Sequence, residues 1–129
     1  MASASNNEVL VYLNEIVEAT RSGSIKWTEA NPSTYVWNSL QPPTPARIVV
    51  QKVDRPELRP ASPLPRYITV TTYVFQAVEV RTGATRFSLN GADDESANTK
   101  LEELYEAIKV SIKRSGLEFL KGVLPPKHN

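Results

Sequence analysis

The sequence predicts an α+β domain: an antiparallel sheet of about five strands flanked by an N-terminal and a C-terminal helix packed on one face. Apolar residues recur at helical spacing only near the two ends of the chain. The stretches between them alternate with a period of two and are punctuated by Gly, Pro and Asn, the signature of strands joined by tight turns. At 129 residues, one domain covering 1–129 can bury enough apolar surface to fold without disulfides or metals.

Near the N-terminus, Val9, Leu13, Ile16 and Thr20, with Leu10 and Val17, share one helical face, so a helix is expected from about Asn6 to Ser22. Ser5 and Glu8 have the spacing of a capping box, and Gly23 suits a left-handed residue just past the helix end. Strands follow at 25–30 and 34–40, joined across the Asn31-Pro32 turn, and then at 46–53, 67–81 and 85–90. Aliphatic residues on both parities of 46–53 place that strand inside the sheet. The segment 54–66 holds four of the ten prolines and is expected as a proline-rich loop, a mobile insertion or a functional arm. A strand of the length of 67–81 would run about 50 Å, so a bulge is expected near Gln76 and Ala77. Gly83 supplies the positive φ of the next hairpin.

The polar stretch from Asn90 to Asn98 reads as a loop into the last helix, with Thr99 and Glu102 as a second capping box and Asp93, Asp94 and Glu95 as a solvated cluster at the helix start. Leu101, Leu104, Tyr105, Ile108 and Ile112 form its apolar stripe. The stripe continues past Gly116 through Phe119, Leu120 and Val123, so the helix is expected to reach about Lys121, ahead of a flexible tail at 124–129.

Composition removes several function classes. With no cysteine there is no disulfide, thiol nucleophile or cysteine-held zinc, which suits a cytoplasmic setting, and the N-terminus lacks the pattern of a secretory signal. Fifteen basic and fourteen acidic residues give a net charge of +1, too small a field to hold duplex DNA by bulk charge, and no apolar run is long enough to span a membrane. His128 is the single histidine, at the penultimate position, so no histidine triad or histidine metal site is expected. The five glycines are isolated, and no phosphate loop exists. No catalytic residue, metal site or cofactor is assigned.

One parity of 67–81 carries Ile68, Val70, Val74, Val78 and Val80, the other Tyr67, Thr69, Thr71, Tyr73 and Phe75. If the aliphatic parity meets the helices, the aromatic and threonine parity faces outward and needs a cover. Trp27 and Trp37 share one face if the intervening turn is odd and centred on Pro32, and lie on opposite faces if it is even. The expected function is a non-enzymatic binding or regulatory domain acting through Trp27, Trp37, Tyr67, Thr69, Thr71, Tyr73 and Phe75, as a homodimer or with a protein partner. The alternative is a sensor of a nucleotide-like anionic small molecule held by Arg81 and Arg86 beside the same aromatics. A third reading, a single-strand nucleic-acid binder, would use Arg47, Lys52, Arg66, Arg81 and Arg86.

Overall fold

Helix α1 (Asn6–Arg21) forms where the sequence has helical periodicity, and the computed structural model describes the chain over residues 6–40, 44–60 and 64–125. Ser5 of the expected capping box lies outside those residues. At the other end Gly23 takes φ +84°, and the amides of Ser24 and Ile25 return to the Ala19 carbonyl, closing the helix as expected. Among the described residues, strands β1 (Thr28–Asn31), β2 (Thr34–Ser39), β3 (Ala46–Arg59), β4 (Arg66–Glu79) and β5 (Thr85–Asn90) follow as an antiparallel meander in sequence order. A 3-10 turn at Gly91–Asp93 then leads into helix α2 (Glu95–Val123). Strand β3 is central, and the β4–β5 register breaks between Ala77 and Val78, where a bulge was expected.

Both helices pack on one side of the sheet. Leu13 and Val17 of α1 and Leu101, Leu104, Tyr105 and Ile108 of α2 share a core with Tyr35, Ile48, Val50, Tyr73 and Phe75. The parity beneath the helices is therefore the aromatic one, a correction to the expected face: Tyr73 and Phe75 are 4% and 5% exposed. Rings hide more apolar area than valines do, and they reach across to the helices. The Tyr105 ring sits 5.0 Å from Tyr35 and 5.3 Å from Tyr73. The valines are left on the outer side, where β-branched side chains still favour strand geometry.

The tryptophans follow the same logic. Pairing of Thr28 with Val36 and Glu29 with Tyr35 is centred on Pro32, so Trp27 lies opposite Trp37, with ring centres 5.9 Å apart. They share a face, and it is the covered one. Buried Trp27 donates from Nε1 to Thr20 Oγ1 at 3.0 Å, and that hydroxyl donates to the Ile16 carbonyl at 2.7 Å, so no polar atom of the pair is stranded. Ile25 and Trp27 enter the core ahead of the ladder, which begins only at Thr28, later than expected.

Two further expectations are corrected. Helix α2 starts at Glu95, capped by Asp94, whose carboxylate accepts the Ala97 amide at 3.2 Å; Thr99 lies inside the helix and donates to the Glu95 carbonyl. The segment 54–66, expected as a loop, is mostly strand: the β3–β4 ladder runs on to Arg59 opposite Arg66. Strand β2 ends opposite Gln51 and β5 ends opposite Val74, so 52–59 and 66–73 form a two-stranded ribbon roughly 25 Å long. Pro56 fits because the Lys52 amide points outward, donating to the Ser33 carbonyl at 2.8 Å. With a period of two, position 56 points the same way at a level where β2 has already ended, and the missing donor has no partner to lose. Residues 61–63 and 126–129, including Pro63 and His128, lie outside the described residues; Leu124 and Pro125 of the expected tail are exposed beyond the helix end.

Where β5 stops, α2 takes over its hydrogen bonding. Asn98 Oδ1 accepts the Tyr73 amide at 2.9 Å, and its Nδ2 donates to the Thr71 carbonyl at 3.4 Å. Gly91 makes room for this amide, since a Cβ there would collide with the Asn98 side chain. Asn98→Ala is expected to cost about 1–3 kcal/mol by leaving the Tyr73 amide unpaired, and Gly91→Ala to lose a similar amount by displacing the same group. Urea unfolding measures both, and values within about 0.5 kcal/mol of wild type would show that the bridge holds nothing.

Burial, reinforced by neighbouring Tyr105 and Glu29, pushes the Tyr35 phenol up to about 12; burial, with Glu102 and Glu106 nearby, does the same for Tyr73. The fold thus favours the protonated phenols. In the unfolded chain a phenol titrates near pH ~10, so this stability is fully present below that pH and is lost as pH rises towards 12. Stability should fall over that interval by on the order of 2 kcal/mol per phenol, and Tyr35→Phe or Tyr73→Phe should flatten the decline in an alkaline urea series.

Candidate functional site

Helix α2 outruns the body it packs on. Its buried residues end at Ile108, Ile112 is half-buried, and every position from Lys113 to Val123 is exposed. Those eleven residues extend the helix by about 16 Å. The apolar pattern does not stop with the support: Val110, Leu117, Phe119, Leu120, Val123 and Leu124 are each between 51% and 72% exposed. On a helical wheel Phe119 and Val123 continue the stripe of Ile108 and Ile112, while Leu117, Leu120 and Leu124 widen it on one side. The polar side, with Ser111, Arg114, Ser115 and Glu118, faces Gly23 and Lys26. Arg114 also donates to the Arg21 carbonyl at 3.0 Å, capping α1.

Charge is divided along the same helix. Before Lys109 it carries Glu95, Glu102, Glu103 and Glu106 against Lys100; from 109 to 123 it carries Lys109, Lys113, Arg114 and Lys121 against Glu118. The overhang from Lys113 to Val123 is therefore both apolar and cationic, with three basic residues against Glu118 and a net charge of +2.

A second apolar feature lies between α1 and the outer strands. Val9, Tyr12, Leu13 and Ile16 face Phe75, Ala77 and Phe87 across a half-open groove of about 350 Å³ whose walls are almost wholly carbon. Phe75 and Phe87 meet edge-on with ring centres 6.0 Å apart at its floor, while Tyr12 is largely exposed. Glu8 lines one end, and Glu15, a heptad further on, shares its side of the helix. A larger depression, about 420 Å³, separates the end of α1 from α2, but the charged groups lining it are already engaged. Arg21 pairs with Glu18 and Glu103 at 3.0 Å each, and the hydrogen bond from Lys100 holds the Glu103 carboxyl below the usual range.

The structure does not gather the residues expected to form the binding face. Trp27, Tyr73 and Phe75 are buried and Trp37 is half-buried against the core, whereas Tyr67 and Thr69 are exposed and Thr71 half-buried on the ribbon. The outer sheet face instead sets half-buried Val36, Val49, Val74 and Val78 among Asn38, Arg47, Gln51 and Gln76, an ordinary mixed surface. The residues of the alternative anion site are also apart from the tryptophans. Arg86 donates from Nε to Glu79 at 2.7 Å, lowering that carboxyl, and Arg81 is exposed at the hairpin turn. Among the described residues no group of three acidic or imidazole side chains is placed to hold a metal ion, and no helix is long and apolar enough to cross a membrane.

The groove escaped sequence reasoning because it needs α1 to lie beside β4 and β5, which no local pattern encodes. The overhang had a signal: an apolar phase continuing through Phe119, Leu120 and Val123 for more turns than a five-strand sheet can cover. Compared with protein-family models, with curated proteins and with solved structures, the chain matches none of them.

Proposed function

We propose that the protein is a non-enzymatic binding domain that self-associates, seating the overhanging turns of α2 from one copy in the α1 groove of another. The observation that carries this reading is the row of large apolar side chains left exposed on the part of α2 that runs on beyond the core. An unsupported helix of this length is marginal in water, and an amphipathic helix gains most by laying its apolar side into a groove. The same chain offers a groove of matching character. Its walls are carbon and its α1 side carries Glu8 and Glu15, opposite in sign to Lys113 and Lys121.

The expected affinity is modest. Covering half-exposed side chains on both partners returns on the order of 10 kcal/mol, against an association cost of ~4–15 kcal/mol, so micromolar or weaker binding is the range to search. Light scattering over a concentration series should show mass rising with concentration. Phe119→Asp with Leu120→Asp, or Tyr12→Asp alone, should leave the protein monomeric while changing dilute urea stability by less than about 0.5 kcal/mol, because these side chains are exposed. Ile108→Ala, in the core, should cost about 2–5 kcal/mol instead. Mixing the helix variant with the groove variant should restore a complex, since one keeps an intact groove and the other an intact helix. A wild-type chain that stays monomeric at high concentration, or variants that associate like wild type, would sink the reading.

A further inference from the structure

The ribbon carries a second surface, separate from both elements of the self-association. Cross-strand partners share a face, so Arg55, Glu57 and Arg59 of β3 stand with Arg66, Ile68 and Val70 of β4 on the ribbon's outer side. Arg59 lies directly opposite Arg66. Arg59 is paired with Glu57 at 2.9 Å, whereas among the described residues the side chains of Arg55 and Arg66 make no ion pair or hydrogen bond. All three arginines are exposed.

Two like charges facing each other across a ladder destabilise it. Keeping a bare ribbon in solution needs charge, but charge of either sign would serve, and alternating signs would avoid the repulsion. Here three arginines share one face with a single carboxylate, Glu57, near the free end of an arm that stands clear of β2 and β5, and the face keeps an excess of positive charge. An anion seated between Arg59 and Arg66 would turn the repulsion into attraction, and guanidinium groups suit phosphate oxygens, which they bind in pairs.

Reach bears on the kind of partner. Arg55 lies four residues from Arg59, roughly 13 Å along the strand. A partner that meets all three arginines must carry anions at both ends of that span. A nucleic-acid strand does so in any register, with a phosphate about every 3.4 Å of helix axis. An extended acidic peptide, with same-side carboxylates about 6.6 Å apart, does so only in a register that sets a carboxylate at each arginine, and polyglutamate competition tells the two apart. A two-stranded ribbon is also narrow enough to enter the ~12 Å major groove of a duplex. We infer that Arg55, Arg59 and Arg66 form a phosphate-contacting surface by which the ribbon binds nucleic acid.

The test uses fluorescence anisotropy with a labelled 20-nucleotide single strand and the matching duplex, titrated with full-length protein at 50 and 200 mM salt, with polyglutamate as competitor. Three phosphate contacts predict affinity falling about 20- to 40-fold between the two salts. Arg55→Ser with Arg66→Ser should weaken binding at least tenfold and flatten the salt dependence, while Arg81→Ser, at the distant hairpin turn, should leave both unchanged. Arg66→Glu should abolish binding yet raise the melting temperature of the free protein by about 1–4 °C, because the repulsion with Arg59 is removed. That opposite movement is a signature a merely structural arginine would not give. Single-strand and duplex arms show which form is preferred. No binding at 50 mM salt, equal binding by the Arg55 and Arg66 variants, or equally effective competition by polyglutamate would each overturn the inference.

Discussion

The contact on which the architecture depends is the ring of Tyr105 lying over Tyr35 and Tyr73. A strand offers two faces and nothing between them, so seating one ring assigns every residue of the strand. With Tyr73 beneath α2, Phe75 and Ala77 follow to the same side; β-pairing carries the assignment to Val50, Ile48 and Tyr35, and from Tyr35 to Trp37 and Trp27. The valines of the opposite parity are thereby left outside. The same contact lies midway along the packed part of α2, which leaves the core after Ile108 and carries its remaining apolar residues into solvent.

Much of the fold was legible because it is local. Helical spacing in 9–20 and 101–112, the positive-φ glycines 23 and 83, and the excessive length of one strand, which implied the break near Ala77, are each visible within a dozen residues. The covered face was not legible, because both parities of β4 are apolar enough to be core and only the partner helices decide between them. Proline misled at 54–66. Its cost in a strand depends on which edge the missing amide would face, and at Pro56 that edge has no neighbour. At the start of α2, Thr99 and Glu102 had the spacing of a cap, but Asp94 closes the helix a turn earlier and extends it back to Glu95.

Both surfaces singled out for recognition belong to elements that continue past their support. Helix α2 runs on beyond the core after Ile112, and the central strands exceed their neighbours after Gln51 and before Val74. Neither excess adds much to folding, since isolated helices and two-stranded ribbons are marginal by themselves. What each adds is reach, on a body held rigid by buried rings and by satisfied polar groups such as the Trp27–Thr20 pair. The two surfaces also differ in chemistry. One is a wide apolar arc with cations beside it; the other sets exposed guanidinium groups beside half-buried Ile68 and Val70.

The side-chain bridge from Asn98 and the placement of Pro56 have a consequence for how copies of this chain can meet. A ribbon with bare margins invites another strand to dock alongside and begin a fibril. Here one margin is interrupted by a residue without an amide proton, and at the root of the other the Tyr73 amide is already taken by Asn98. Lateral stacking of backbones is therefore obstructed on both flanks, which steers encounters between molecules towards reversible contact and away from amyloid growth.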